Sequence, residues 1–476
     1  MQADLATTIA DLLEQAGIEF VRLTQSGNQW LVVSADDRTD AIRVLRDSPR
    51  TRRWVAEGGG YRGPRLLGSF SPDTRTHSMR IYRYLRSPSG AYVGSRESST
   101  WLQFWQPTAP ETDRPDGGVH APNTLRAVYR NRVASYLAPA DWARAQARPD
   151  HRLAAQDRPN LLELNEPVDA VYTWVDDTDP DWRRRRAEVA PSGQGLASDA
   201  LDAARTRDRD EFRHSLRSLA MYAGWIRRIW IVTDGQVPAW LDVDHPRISV
   251  VTHREIFTDP GALPVFNSHA IESQLHHIPG LAEHFLYLND DFFFGRPVRP
   301  ELFFHGNGLP KMMTSTVAID LDLDTETRNG AMLAARQGRA WIERTYNRTI
   351  THRVQHVPHA HRKSVVSELE SLMPDDFNRI AHSRFRHRDD LSIASELAHY
   401  YGYATQRTVT GGLRYQYVDA QSSLASEQMH ALLTERVVDC FCINDVDASP
   451  GSCQDDRVPR FLAERFPLAS PFELAS

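Results

Sequence analysis

The feature of this sequence that most restricts its fold is an alternation of strand-like and helix-like segments that starts after Pro167. Four apolar runs are typical of buried strands, and two segments between them have the apolar spacing of amphipathic helices. The strand-like runs occupy residues 168–175, 226–233, 247–252 and 284–289, and the helical patterns occupy 209–223 and 267–278. This alternation predicts an α/β fold with a mostly parallel sheet covered by helices.

The region before this alternation has a different character. A chain of 476 residues is too long for one ordinary core, so more than one domain is expected. Residues 3–17 have a helical pattern that ends at Gly17, and strand-like runs follow on both sides of Gly27. We therefore predict a smaller N-terminal α/β or α+β domain over residues 1–160, with an accessory role, and a second domain over residues 161–476.

Charge and composition exclude several classes of protein. The formal net charge of −6 gives no support for nucleic-acid binding. The N-terminus lacks the basic start and apolar core of a signal peptide, and no apolar run is long enough for a membrane span. The three cysteines, Cys440, Cys442 and Cys453, suit a reducing compartment better than a disulfide framework. We expect a cytoplasmic location, either free or peripheral at the inner face of the membrane. The sequence leaves the oligomeric state open.

Polar residues follow every predicted strand of the second domain. Ligands of open α/β sheets bind beyond the carboxyl ends of the strands, so these residues should meet at one edge. The polar segments that follow the four strands are 176–179, 234–236, 253–255 and 289–291. Among them we select Asp176, Asp234 and Gln236 as candidates for contacts with a bound ligand.

The segment after the last strand is the strongest metal candidate. Asn289, Asp290 and Asp291 follow an apolar run, and oxygen ligands of this kind suit Mg²⁺ or Mn²⁺. The alternative is an ordinary polar turn, in which Asn and Asp are also common. Asn444 and Asp445 follow another apolar run and could add a metal or sugar contact.

The predicted helix at 209–223 carries charges on one face. Asp210, Arg213 and Arg217 are spaced to lie together, opposite the apolar stripe. The guanidinium group matches two phosphate oxygens at once, which makes the two arginines candidates for phosphate binding. An exposed face with internal ion pairs is the competing interpretation.

Two further clusters have side chains suited to proton transfer and phosphate binding. The histidines of the first cluster are His352, His356, His359 and His361, and an arginine-rich cluster follows at 384–390. A histidine can take a proton from an attacking hydroxyl, and arginines can stabilise a transferring phosphoryl group. A zinc site and surface histidines without a role are the alternatives for the first cluster.

Together these segments resemble the Stealth family, which includes bacterial capsular polysaccharide phosphotransferases and the animal N-acetylglucosamine-1-phosphotransferase. The family has four blocks in a fixed order, and similar blocks occur here at 169–182, 207–295, 356–391 and 440–474. One departure is Asp177, at a position where the family usually has Gly. Asp is among the residues that tolerate the backbone conformations of Gly best, so only the local turn is affected.

The resemblance implies a Rossmann-like (GT-A-like) catalytic domain. The implied reaction moves a hexose or N-acetylhexosamine 1-phosphate from a UDP-sugar, such as UDP-GlcNAc, to a hydroxyl of an oligosaccharide or polysaccharide. A phosphodiester forms and UMP leaves, with Mg²⁺ or Mn²⁺ as cofactor, in capsule or exopolysaccharide synthesis. The alternatives are a metal-dependent glycosyltransferase that releases UDP and a non-catalytic carbohydrate-binding protein.

The resemblance also implies roles for individual residues. Asp208 and Glu211 match acidic positions of the second block and are implied to be catalytic. His359 matches the histidine of the third block and is the predicted general base. Arg386 matches the arginine of the same block and is the predicted phosphate clamp.

Overall fold

The computed structural model describes residues 2–25, 27–58, 63–71, 73, 75–83, 85–86, 92–94, 96–109, 118–129, 131–190, 196–197, 200, 209–320, 329–444 and 456–474. The chain divides into two compact units, residues 1–160 and 161–476. Within the described ranges, no helix has both the length and the apolar character needed to cross a bilayer.

The first unit is built on a mixed sheet. Its helices are α1 (Gln2–Gln15), α2 (Arg38–Asp47) and α3 (Pro139–Gln146), and its strands are β1 (Val21–Gln25), β2 (Asn28–Ser34), β3 (Val55–Gly58), β4 (Arg65–Leu66), β5 (Ser78–Tyr82), β6 (Leu85–Arg86), β7 (Tyr92–Gly94), β8 (Thr100–Pro107), β9 (Leu125–Arg126) and β10 (Tyr136–Leu137). The main strand order is β1-β2-β8-β5-β3-β4, in which β2 and β8 are parallel and the other neighbours antiparallel. Apolar side chains of α1 and α2 pack into one core with this sheet, which confirms a smaller domain that mixes helices and strands.

The second unit contains the alternating segments. Its helices are α4 (Pro180–Glu188), α5 (Glu211–Tyr222), α6 (His253–Ile256), α7 (Ser268–Glu272), α8 (Gly330–Tyr346), α9 (Lys363–Leu372), α10 (Pro374–Ala381), α11 (Ala398–Ala404), α12 (Ala425–Thr434) and α13 (Arg457–Arg465), and its strands are β11 (Val168–Thr173), β12 (Ile229–Thr233), β13 (Ile248–Thr252), β14 (His284–Asn289), β15 (Phe292–Phe294), β16 (Lys311–Met312), β17 (Thr314–Ala318), β18 (His352–Val354), β19 (His359–Arg362), β20 (Val409–Thr410), β21 (Tyr415–Asp419) and β22 (Cys440–Asn444).

The central sheet of this unit has the order β13-β12-β11-β14-β19. Its first four strands are parallel, and β19 adds to the edge in the antiparallel sense. Thr173 at the end of β11 lies opposite Asn289 at the end of β14. The predicted mostly parallel α/β sheet is therefore confirmed, and its strands end together at one edge.

Alternating residues of β11 bury against opposite layers. Tyr172 packs in the core that contains Phe212, Leu216 and Leu219 of α5, whereas Val171 packs in the core on the other face. Full burial of such side chains stabilises the fold by about 1.5–3 kcal/mol each. These two cores fix the positions of α5 and of the segment around α7, and both segments carry side chains of the site described below.

The segment predicted as one helix over 267–278 is divided. Asn267 caps α7 as predicted, because its side chain accepts a hydrogen bond from the backbone N–H of His269 at 3.1 Å. The helix ends at Glu272, and a 3₁₀ turn follows at Leu275–His277. A single apolar periodicity in the sequence therefore covers two short elements.

A small second sheet brings distant residues to the end of β14. Its order is β15-β22-β21, and Phe292 of β15 lies opposite Cys442 of β22. This pairing places Cys442 and Asn444 beside the turn that joins β14 to β15. The turn contains Asp290 and Asp291.

Candidate active site

A cavity of about 720 Å³ lies in the second unit, beyond the carboxyl end of β14. Acidic, amide and basic side chains line it together with hydroxyl groups. The charged and amide residues of its wall are Arg209, Glu211, His269, Glu272, Asn289, Asp290, Asp291, Asn329, Arg353, Gln355, His356, Arg386 and Asn444. A cavity of this size and polarity can hold a charged ligand with several phosphate and hydroxyl groups.

The carboxylates at the end of β14 can bind a cation. Asp291 accepts a hydrogen bond through Oδ2 from the thiol of Cys442 at 3.1 Å, while its Oδ1 is buried and has no hydrogen-bond partner in the described part of the chain. The imidazole Nε2 of His356 lies 4.0 Å from Oδ2 of Asp291. Asp290 and Asn289 line the same wall. A buried carboxylate oxygen without a partner, next to further oxygen donors, fits a divalent cation.

Cys442 contributes to this corner as a thiol. Burial raises the pKa of Cys442 well above its ordinary value, and the negative charge of Asp291 raises it further. The side chain is therefore protonated at neutral pH and donates to Asp291 rather than competing with it as a ligand.

Among the described residues, three guanidinium groups from different parts of the chain line the cavity. They belong to Arg209, Arg353 and Arg386. Arg386 donates from Nη2 to the hydroxyl of Ser268 at 2.8 Å, and Arg353 donates from Nε to Glu396 at 2.8 Å. Positive groups held on several walls of one cavity are suited to an anion with two phosphates.

Of the two histidines that line the cavity among the described residues, His269 is the buried one. Its Nδ1 lies 3.6 Å from Oδ2 of Asp390, beyond hydrogen-bond distance. Asp390 accepts hydrogen bonds from the Asn267 amide at 2.8 Å and from the His387 backbone N–H at 2.9 Å. Burial lowers the pKa of His269, and the nearby charge of Arg386 lowers it further, so the ring is neutral at neutral pH. With Nδ1 turned toward Asp390, Nε2 is the nitrogen left for a ligand in the cavity.

Asp390 remains ionised in this environment. Burial opposes its charged form, but the adjacent His269 imidazole and the hydrogen bonds from the His387 backbone N–H and the Asn267 amide leave its pKa below the ordinary value. A neutral imidazole held by a carboxylate is an arrangement that can accept a proton.

Glu272 joins two elements of the wall. Its Oε2 accepts hydrogen bonds from the hydroxyl of Ser392 and from the backbone N–H of Ser395, both at 3.1 Å. Ser395 belongs to a π-helix at Ile393–Leu397, a rare element that often occurs at functional sites. Glu272 thus fixes the start of this π-helix against α7.

The structure brings part of the predicted set together. Six of the selected residues line the cavity: Glu211, Asn289, Asp290, Asp291, Arg386 and Asn444. Glu211 is nearly buried at the start of α5 and accepts a hydrogen bond from the backbone N–H of Arg209. Asp208 and Asp445 lie outside the described residues.

Asp176, Asp234 and Gln236, which were predicted to contact a bound ligand, lie in the loops after β11 and β12. Gln236 accepts from the backbone N–H of Asp176 at 3.0 Å and donates to its carbonyl at 2.9 Å. Asp234 forms an ion pair with Arg185 at 2.8 Å. These contacts join the loops after β11 and β12, and the three residues are not among the described residues that line the cavity.

Arg213 and Arg217 form ion pairs rather than lining the cavity in the described part of the chain. Each lies 2.7 Å from Oε2 of Glu473, a side chain with only 3% exposure. Arg217 also donates to the carbonyl of Phe466 at 3.1 Å. This position agrees with the competing interpretation of that helix face, in which the arginines form ion pairs within the protein. Their partner, Glu473, lies in the C-terminal segment.

His359 is buried in β19 opposite Tyr287 of β14. Its Nδ1 lies 3.2 Å from Nε2 of His399, and among the described residues it is not part of the cavity wall. Because a general base must reach the hydroxyl that it deprotonates, this position does not suit the predicted role. His269 is the histidine that the geometry favours.

The sequence patterns did not single out His269, Glu272 or Arg353. His269 follows the correctly predicted cap Asn267, and Arg353 lies within the histidine-rich cluster. His269 and Glu272 belong to α7 and Arg353 to β18, and what the three share is a place in the cavity wall. Tertiary packing brings these two elements to one cavity, and no local pattern reports it.

Comparison with protein families gives matches to three conserved regions of Stealth proteins. Conserved region 1 matches residues 166–194, conserved region 2 matches 205–312, and conserved region 3 matches 355–403. The cavity-wall residues at the start of α5, at α7 and at the end of β14 lie within conserved region 2.

Similar proteins cover nearly the whole chain. An exopolysaccharide phosphotransferase of Streptomyces coelicolor is 37% identical over 98% of this chain and 81% of its own length. The exopolysaccharide phosphotransferase CpsY of Mycobacterium leprae is 37% identical over 97% of this chain and 84% of its own. Among solved structures, the galactosyltransferase LgtC in complex with donor and acceptor sugar analogues matches at 11% identity and a TM-score of 0.32, over 63% of this chain and 96% of that one.

Proposed function

The chain belongs to the Stealth family, and we propose that it transfers a sugar 1-phosphate from a UDP-sugar to a carbohydrate hydroxyl in exopolysaccharide synthesis. The acceptor oxygen forms a bond to the phosphorus next to the sugar, the bond from that phosphorus to the bridging oxygen breaks, and UMP leaves. The observation that carries this proposal is the convergence, on one cavity, of adjacent carboxylates, three guanidinium groups and a neutral histidine. Phosphoryl transfer needs a cation, positive side chains and a base.

The guanidinium groups would hold the diphosphate of the donor. Arg386 and Arg353 are oriented by Ser268 and Glu396, so little side-chain freedom is lost when a phosphate binds. Negative charge increases on the leaving UMP during transfer, and these fixed positive groups stabilise it without rearrangement.

Asp290 and Asp291, with Asn289 and Asn444 beside them, would hold Mg²⁺ or Mn²⁺. The buried Oδ1 of Asp291, which has no described partner, supports this assignment. When bound, such a cation neutralises charge on the diphosphate and on the leaving group.

His269 would take the proton of the acceptor hydroxyl. Its imidazole is neutral, its Nδ1 is turned to Asp390, and its Nε2 is left to face the cavity. Asp390 would hold the ring in the correct orientation and stabilise the imidazolium that forms, in the way that a carboxylate supports a catalytic histidine. We propose this role for His269 in place of His359.

The experiment is to measure which nucleotide is released from a panel of UDP-sugars, including UDP-GlcNAc, with short carbohydrate acceptors. Release of UMP with Mg²⁺ or Mn²⁺, but not with EDTA, is the expected result. Release of UDP would instead establish attack on the sugar carbon. Release of neither nucleotide, together with no binding of any donor, would contradict an enzymatic role and favour a carbohydrate-binding protein.

A further inference from the structure

A cluster of two histidines and one glutamate lies apart from the cavity. It consists of His276 and His277, in the 3₁₀ turn after α7, and Glu370 of α9. Oε2 of Glu370 lies 2.6 Å from Nε2 of His276 and 2.9 Å from Nε2 of His277. The ligand atoms of all three residues lie within 4.8 Å of one another.

The hydrogen bond on the far side of His277 defines its chemistry. Its Nδ1 lies 3.0 Å from the carbonyl oxygen of Ile256, and a carbonyl oxygen can only accept, so this nitrogen carries the proton. In the neutral ring, Nε2 then has no proton, and its lone pair faces a carboxylate oxygen of Glu370. Two lone pairs at 2.9 Å repel each other unless a positive group lies between them.

Two positive groups can remove this repulsion: a second proton on His277, or a metal ion. A histidine that binds a metal usually donates its other N–H to a backbone carbonyl, as His277 does to Ile256. His276 places its Nε2 against the same carboxylate oxygen of Glu370, at 2.6 Å. With protons alone, both rings must donate to one carboxylate oxygen and His277 must be an imidazolium, whereas a metal ion takes one lone pair from each of the three side chains.

We propose that His276, His277 and Glu370 form a binding site for a divalent transition-metal ion of the zinc class. Two imidazoles and one carboxylate are a known ligand set for zinc, with water as a fourth ligand. Tetrahedral coordination at Zn²⁺ separates ligand atoms by roughly 3.3 Å, given bond lengths of about 2.0–2.2 Å. The carboxylate oxygen of Glu370 needs to move away from each histidine nitrogen by less than about 1 Å. His277 and Glu370 are 22% and 27% exposed, which leaves room for this change and for water.

The site would have a structural consequence. It joins the 3₁₀ turn to α9, and the turn begins three residues after Glu272, which lines the cavity. A bound ion would therefore hold the end of the segment that carries His269. This role is independent of the proposed transfer reaction, which uses the carboxylates at the end of β14.

The test is zinc binding to the full-length protein after removal of metals with a chelator. His277→Gln and Glu370→Gln each remove one ligand from a partly exposed position. His382→Gln is the matched control, because His382 also places Nδ1 against a backbone carbonyl and Nε2 against a carboxylate, Asp259, at 3.0 Å. Unlike the proposed site, this pair belongs to no group of three possible metal ligands among the described residues.

We expect the unchanged protein and the His382→Gln control to bind one more zinc ion than either ligand variant. Zinc should raise the Tm of the unchanged protein and of the control, but not that of the ligand variants. Affinity at this site should fall by at least ~10-fold in each variant. Binding of Co²⁺ without a thiolate charge-transfer band would distinguish the site from one that uses Cys442. Equal zinc content in all four proteins, no zinc in the unchanged protein, or a thiolate band that accounts for all bound metal would each overturn the proposal. Folding of each variant is checked by its circular dichroism without metal.

Discussion

Replacement of Glu473 by Gln tests the assignment of Arg213 and Arg217 to a structural ion-pair cluster. Glu473 accepts from Nε of Arg213 and from Nε and Nη2 of Arg217, each at 2.7 Å. The backbone N–H of Ser470 donates to the same carboxylate at 2.7 Å. Because the carboxylate is 3% exposed, its loss removes the counter-charge of Arg217 and the nearer counter-charge of Arg213, which also lies 3.9 Å from Asp210.

The magnitude follows from the pKa of Glu473. Burial alone would raise this pKa, but Arg217, the Ser470 backbone N–H and Arg213 lower it from 4.5 to about 2. That difference corresponds to about 3 kcal/mol of stability. Because the folded-state pKa is the lower one, this stability is fully present above about pH 4.5 and is lost as the pH falls toward about 2.

The assay is urea denaturation followed by circular dichroism, at pH 7 and at several lower pH values. We expect Glu473→Gln to lower the free energy of unfolding by about 3 kcal/mol at pH 7, within the range for removal of one partner of a buried pair. The difference from the unchanged protein should shrink below pH 4.5. The exposed Glu427 provides the control, since Glu427→Gln should change stability by less than about 0.5 kcal/mol. A loss below about 1 kcal/mol at pH 7, or one that does not depend on pH, would refute the reasoning.

Three further predictions concern the site and its surroundings. His269→Gln should lower kcat by at least ~100-fold with little change in binding of the UDP-sugar, whereas folded His359→Gln should retain most of the activity. If a steady-state assay finds that His359→Gln loses activity and His269→Gln keeps it, His359 is the base. Asp291→Asn should raise the Mg²⁺ or Mn²⁺ concentration needed for half-maximal activity by at least ~10-fold, and an unchanged metal titration would remove Asp291 from the metal site. Burial lowers the pKa of His361 to about 4, so this histidine resists protonation in the folded state but not in the unfolded state. Its contribution to the free energy of unfolding should be complete above pH 6.5 and fall by up to about 3 kcal/mol between pH 6.5 and 4. A flat profile of unfolding free energy over that interval would contradict its burial as a neutral ring.

The sequence defines the central sheet because local patterns report burial. Strands covered on both faces must be apolar along their whole length, so 168–175 and 284–289 are recognisable without knowledge of their neighbours. The parallel topology then requires that the residues after these strands meet at one edge. This argument correctly places Asn289, Asp290 and Asp291 in the cavity wall.

The same argument does not separate cavity residues from residues that support the loops. Asp176, Asp234 and Gln236 also follow strands, yet hydrogen bonds between neighbouring loops and an ion pair with Arg185 occupy them. Both groups have the same residue types at equivalent positions along their strands. Only the path of each loop decides whether a polar side chain faces a ligand or another loop.

By itself, therefore, the sequence determined the sheet, its functional edge and the family, because these depend on periodicity and on long ordered blocks of residues. Tertiary structure alone decided the partners of the charged groups. Arg217 binds a glutamate 256 positions away, and His269 faces an aspartate that lies in a different conserved region. Pairs so far apart leave no local pattern, since packing of the intervening elements brings their atoms together, and this packing assigns Arg217 to structure and His269 to the cavity.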